Sequence, residues 1–133
     1  MRFRFPLGPL LLACALMLSP LLASADLLIS PTRVLLTAQR GVAQVTLRNT
    51  GDTRRTYRME WREMRRNDDG VYVSIEQPSA ADRIASPMLR YSPRQITLEA
   101  GETQTVRVQY HQRADLAPGE YRSHLRFTTV GGD

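Results

Sequence analysis

The chain has 133 residues, which is one domain's worth at the usual ~100–150 residues per domain and excludes a two-domain enzyme, a large barrel or a long repeat array. Its hydrophobic fraction of 42% excludes disorder of the chain as a whole. All 18 basic residues are Arg and none is Lys, against 13 acidic residues, for a formal net charge of +5.

The first 25 residues read as an address. Arg2 and Arg4 precede an uncharged apolar run over residues 6–22, and Ala23-Ser24-Ala25 supplies a small-residue cleavage site. This order predicts a secretory signal peptide over residues 1–25, cleaved after Ala25 to leave Asp26 as the new N-terminus. A membrane anchor is the competing reading. The run is short for a span of about 20 residues, and Pro9 and Pro20 interrupt it. Leu11-Leu12-Ala13-Cys14 loosely matches a lipoprotein box, but the residues after Cys14 stay apolar, which argues against a lipid there. The predicted mature chain, residues 26–133, has no Cys. It is exported without a disulfide and must be held by its core. Loss of Arg2 and Arg4 leaves 16 Arg against 13 acids, an excess too small to indicate a nucleic-acid partner.

The rest reads as strands and turns. Residues 28–36 are apolar and β-branched, interrupted by Pro31, whose missing N–H suits an edge or a bulge. After a turn at Gln39-Arg40-Gly41, Ala43, Val45 and Leu47 alternate with polar residues, the period of a half-buried strand. Asn49-Thr50-Gly51-Asp52 is the next turn. Tyr57, Met59 and Trp61 alternate with Arg58, Glu60 and Arg62. Asn67-Asp68-Asp69-Gly70 predicts a hairpin, because Asp-Gly supplies the positive φ angles of a tight turn, and Val71, Val73 and Ile75 return the chain. A loop over residues 78–87 leads to a strand over residues 89–98, bent at Pro93, with Ile96 and Leu98 inward. A turn at Glu99-Ala100-Gly101-Glu102 leads to Val106, Val108 and Tyr110, again alternating. The last strand covers residues 121–130, with Tyr121, Ser123, Leu125 and Phe127 on one face and Arg122, His124 and Arg126 on the other. No window after residue 25 has a helical period. Seven short strands at about ten-residue spacing predict an all-β antiparallel sandwich of immunoglobulin-like architecture. Trp61, the only Trp, lies on the inward face of the third strand, where such domains bury a Trp, here without the usual disulfide. Asp115-Leu116-Ala117-Pro118-Gly119-Glu120-Tyr121 has the form of a tyrosine corner, in which the hydroxyl returns to the backbone just upstream. Either aromatic alone also fits an ordinary core.

Five stretches follow one another in register: Ile29-Ser30-Pro31-Thr32-Arg33-Val34, Val45-Thr46-Leu47-Arg48-Asn49-Thr50-Gly51, Tyr91-Ser92-Pro93-Arg94-Gln95-Ile96-Thr97-Leu98, Gly101-Glu102-Thr103-Gln104-Thr105-Val106-Arg107 and Gly119-Glu120-Tyr121-Arg122-Ser123-His124-Leu125. Together they resemble the N-terminal immunoglobulin-like domain of periplasmic pilus (fimbrial) assembly chaperones, the PapD-like family, over nearly all of residues 27–130. The resemblance implies a periplasmic binding protein, not an enzyme, with no cofactor. Its partners would be pilin or fimbrial subunits and the outer-membrane usher. Pilin subunits are immunoglobulin-like domains lacking their last strand, and the family's chaperone lends its own last strand to cap them by donor-strand complementation. It also implies a basic pair in a cleft that anchors the subunit's C-terminal carboxylate, one member of which falls on Arg33. Arg is suited to that task by its bidentate fork. Without the resemblance, Arg33 reads as an exposed edge-strand residue. Arg94, beside Pro93, reads either as a cleft contact or as a brace of the sheet.

Arg107, Arg122 and Arg126 read as a solvated face. His111 and His124 have no second His or Cys at ligand spacing, so no metal site is expected. No nucleophile motif or phosphate loop points to catalysis or to a small-molecule substrate. The resemblance assigns residues 121–130 to the family's sixth strand. The donor strand with the second basic anchor, and a second immunoglobulin-like domain, are not within the 133 residues. Three readings stay open: a truncated gene or fragment, an inactive relic, or a domain that accepts a strand from another chain. An exported stand-alone immunoglobulin-like structural or adhesive module is the alternative of a different class.

Overall fold

The structure, a computed structural model, describes residues 26–131. The expected signal peptide and Cys14 lie outside the described residues. Where apolar and polar residues alternate, the chain is extended: β1 (Leu27–Ser30), β2 (Val42–Asn49), β3 (Arg55–Arg62), β4 (Met64–Arg66), β5 (Tyr72–Ser74), β6 (Leu89–Ser92), β7 (Gln95–Leu98), β8 (Thr103–Tyr110) and β9 (His124–Val130). Single 3-10 turns occur at Ala80–Asp82 and Ser86–Met88. The strands form a sheet in the order β1-β2-β8-β6, a second in the order β7-β3-β9, and a separate β4-β5 ribbon. All strand pairs are antiparallel, as expected for the all-β immunoglobulin-like sandwich.

Two inward faces meet in the core. Val45 and Leu47 of β2 and Val106 and Val108 of β8 come from the first sheet. Tyr57 and Met59 of β3 and Ile96 and Leu98 of β7 come from the second. Successive strand residues point to opposite faces, so each of these strands sends every second side chain inward. Asn49 is fully buried among them. Its Nδ2 donates to Thr53 O (2.7 Å) and, across to the other sheet, to Leu98 O (3.1 Å), while its Oδ1 accepts from Gly51 N (3.0 Å). A buried amide is tolerated because these bonds replace water.

Three boundaries and the burial of one strand differ from the sequence reading, each for a local reason. Residues 89–98 do not form one strand. Ser92 still pairs with Arg107 of β8, whereas Gln95 pairs with Arg58 of β3. Pro93 has no N–H to extend the first ladder, and Arg94 O instead accepts from Met59 N (3.0 Å), so the chain crosses between sheets there. The first strand ends at Ser30, just before Pro31. Beyond it, Val34 and Leu36 pack on the core and Leu35 is 76% exposed, so the period of two persists outside any strand. The last strand begins at His124, not Tyr121. Arg122 is bonded through its N–H to Arg83 O and through its carbonyl to Ala85 N, which holds it away from β3. The hairpin forms where Asp-Gly places it, with Gly70 at φ 81°. Its return strand nevertheless buries no face: Val71, Tyr72 and Val73 are all exposed, because the ribbon has only two strands and no facing layer.

Truncating a fully buried core side chain removes transfer energy and leaves a cavity. Leu98→Ala is therefore expected to lower unfolding free energy by about 2–5 kcal/mol. Leu35→Ser, at an exposed position, is expected to stay within about 0.5 kcal/mol of the parent. Urea denaturation followed by tryptophan fluorescence measures both.

Candidate functional site

The strand order gives the sandwich one closed and one open side. β6 and β7 are edge strands of different sheets joined by the crossing at residues 93–94, which closes one side. The opposite edges are β1 and β9. Among the described residues β9 is bonded only to β3, through seven pairs from Thr56↔Val130 to Arg62↔His124. Its Leu125 and Phe127 face the core but are only half-buried, like Val34 and Leu36 of the segment that follows β1. Unpaired backbone groups on an edge, above half-covered apolar side chains, are the features that receive an added strand.

Arg33 is exposed in the segment just after β1, on this open side. Its charge reaches Glu120, in the segment leading to β9. Glu120 is held below the usual carboxylate range, first by its hydrogen bond from Arg122 Nε (2.7 Å) and that residue's charge, with a smaller pull from Arg33. Tyr121 fixes this segment, its hydroxyl donating to Ala117 O at 2.7 Å, four residues back. Ser123 fixes it from the other end. Its Oγ accepts from Ala85 N and Ser86 N (3.0 and 2.8 Å) and donates to Glu63 Oε2 (2.8 Å).

Arg94 lies at the closed side, at the crossing, with its guanidinium 5.8 Å from the centre of the Tyr91 ring. The fold thus sets Arg33 and Arg94 on opposite flanks of the sandwich. Trp61 is half-buried at the rim of the core, edge-on to Tyr91 with ring centres 5.3 Å apart. Tyr91 Oη in turn donates to Met59 O (2.7 Å). Arg107 is exposed, and Arg126 pairs with Glu60 of β3. His111 is exposed, and His124 stands edge-on to Tyr72 at 5.8 Å.

The structure brings forward residues that period and turn signals do not single out. Arg65 of β4 makes a two-pronged bond to Asp82, Nε to Oδ1 at 2.7 Å and Nη2 to Oδ2 at 3.0 Å, and so ties the ribbon to the turn at Ala80–Asp82. Asp82 also accepts from Ser79 N (2.8 Å). The Arg65 hydrogen bonds, with Ser79 second, pull the Asp82 carboxyl down to about 2. The two partners lie 17 residues apart, so no local spacing signal announces the pair.

Comparison with known proteins finds no matching family model and no match among curated proteins. Among solved structures, the chain is similar to the CupB2 chaperone of Pseudomonas aeruginosa, with a TM-score of 0.55, 16% identity, and coverage of 77% of this chain and 49% of that one. It is also similar to a chain from a chaperone–tip adhesin complex of CFA/I fimbriae biogenesis, with a TM-score of 0.51, 12% identity, and coverage of 79% and 54%. The chain spans about half the length of these structures. It has the PapD-like immunoglobulin-like fold of fimbrial chaperone domains.

The Arg65–Asp82 pair has a signed pH dependence. A carboxyl lowered to about 2 contributes stability above its unfolded value of about 3.9 and loses it as pH falls toward 2. Carboxyl-carbon NMR titration is expected to place Asp82 near 2 in the parent. Arg65→Gln should move it up toward the ordinary value. An unchanged midpoint in that variant contradicts the assignment.

Proposed function

We propose that the chain is the N-terminal immunoglobulin-like part of a periplasmic chaperone that caps pilin-type subunits for pilus assembly by donor-strand complementation. The observation that carries this reading is a PapD-like sandwich whose open side sets Arg33 beside an edge strand. The similarity to the CupB2 chaperone and to a chain from a chaperone–tip adhesin complex of fimbriae biogenesis supports pilin-type subunits as the partner class. The usher and the periplasmic location follow from the same family resemblance, together with the address-like residues 1–25.

In this reading the work is done by non-covalent contacts. A strand ladder on the open side supplies backbone hydrogen bonds, and alternate apolar side chains fill the subunit's groove. Arg33 takes the terminal carboxylate of the subunit and thereby sets the register of that ladder. A guanidinium is fitted to this because two parallel N–H bonds define an orientation as well as a distance. Arg94, on the closed flank, is assigned here to bracing the β6–β7 crossing.

The test is co-expression with a pilin-type subunit, followed by an affinity measurement on the isolated complex. Arg33→Ala is expected to weaken binding by about tenfold or more, as for loss of a charged hydrogen-bonded anchor. Arg94→Ala is expected to bind like the parent. Full affinity in Arg33→Ala removes the anchor assignment. Failure to bind any such subunit, both by the parent and by a version extended with a donor strand, favours the stand-alone module.

A further inference from the structure

A second cluster of arginines lies apart from the core. A pocket of about 730 Å³ is lined by β4, by Tyr72 of β5, by the 79–83 turn and by Glu120 and Arg122. Four guanidiniums reach it, from Arg65, Arg66, Arg83 and Arg122, against two carboxylates, Asp82 and Glu120. Both carboxylates are already engaged, by Arg65 and Arg122 respectively. Arg66 and Arg83 have no carboxylate within ion-pair distance among the described residues. Arg66 Nε donates only to Gly70 O (3.0 Å), and its guanidinium lies 5.9 Å from the centre of the Tyr72 ring. Arg83 Nη1 donates to Pro118 O (3.2 Å), and its guanidinium lies 5.6 Å from the centre of the Tyr121 ring.

The placement of Arg83 is built. It is the one described non-glycine residue with positive φ, at 47°. A left-handed backbone is costly for a residue with a Cβ and clusters at working sites. Gly119 keeps the space over it open: a Cβ there would fall 1.9 Å from Arg83 Nη1, at a φ of 142° that disfavours any side chain. Tyr72 of β5 lines the pocket, and among the described residues β5 is bonded only to β4. The surface therefore combines unbalanced guanidiniums with a free backbone edge.

We infer that this pocket binds an acidic polypeptide segment, whose carboxylates meet Arg66 and Arg83 while its backbone runs along β5. The two ion pairs already in the pocket show that its guanidiniums accept carboxylates at hydrogen-bond distance. The backbone edge suits a peptide, whereas a small anion would leave it unused. The pocket shares Glu120 and Arg122 with the surroundings of Arg33, but the assignment rests on Arg66 and Arg83 and not on the subunit-capping reading.

The test uses a fluorescent hexaglutamate peptide and anisotropy at low salt with the purified protein. Saturable binding is expected, weaker by about tenfold in the Arg66→Gln, Arg83→Gln double variant. The Arg90→Gln, Arg107→Gln double variant removes the same charge from the β6–β8 sheet and is expected to bind like the parent. Gly119→Ala, which pushes on Arg83 without changing charge, is expected to weaken binding severalfold, and Arg66→Gln alone serves if the double variant fails to fold. The inference is overturned by absence of saturable binding or by equal losses in the two double variants. It is also overturned if inorganic phosphate displaces the peptide at the concentration at which free glutamate peptide does.

Discussion

The structure depends on one packing constraint: two sheets must bury each other's alternate side chains. Leu47, Leu98 and Val106 are wholly withdrawn from water, and Asn49 pins one sheet to the other through Leu98 O. These contacts set the spacing of β2 and β8 against β3 and β7. At about 25 cal/mol per Å² of apolar surface, the few fully buried side chains outweigh any of the exposed ion pairs, which are worth about 0–1 kcal/mol each. The crossing at Pro93 then closes one flank, so the other flank, between β1 and β9, carries the free edge. Arg33 gains its setting from that asymmetry rather than from any partner of its own.

The period of two was legible wherever a strand has one buried and one wet face. Val45 and Leu47, Tyr57 and Met59, Ile96 and Leu98, and Val106 and Val108 all point inward as their spacing requires. The same signal misled at residues 71–75, because alternation specifies a strand but not the presence of a layer to cover it. It also ran through residues 89–98 and 121–130 without showing that the ladder partner changes, at Pro93 in one case and at Arg122 in the other. Partner exchange is a long-range event. The Arg65–Asp82 pair and the seat of Arg83 over Tyr121 were invisible for the same reason, since their members are far apart in sequence and meet only in the fold.

The all-Arg basic set gains a physical meaning from these contacts. Arg65 binds Asp82 with two parallel N–H bonds, and Arg66, Arg83 and Arg94 each lie near the face of a tyrosine ring. A planar guanidinium serves both roles, whereas an ammonium is a compact point charge without a fork. The absence of Lys does not by itself imply a demand from function. Even so, the fold uses the guanidinium's shape at the β4–β5 ribbon, at the tyrosine corner and at the crossing between sheets.

On the proposed reading, a bound subunit covers the side of the sandwich bearing β9 and residues 32–36 and leaves the closed flank bare. Amide hydrogen exchange of the protein alone and with a purified pilin-type subunit tests it most directly. New protection is expected on β9 and around Arg33, with the closed flank at β6 and β7 unchanged. Protection confined to β6 and β7, with β9 exchanging as in the free protein, would contradict it.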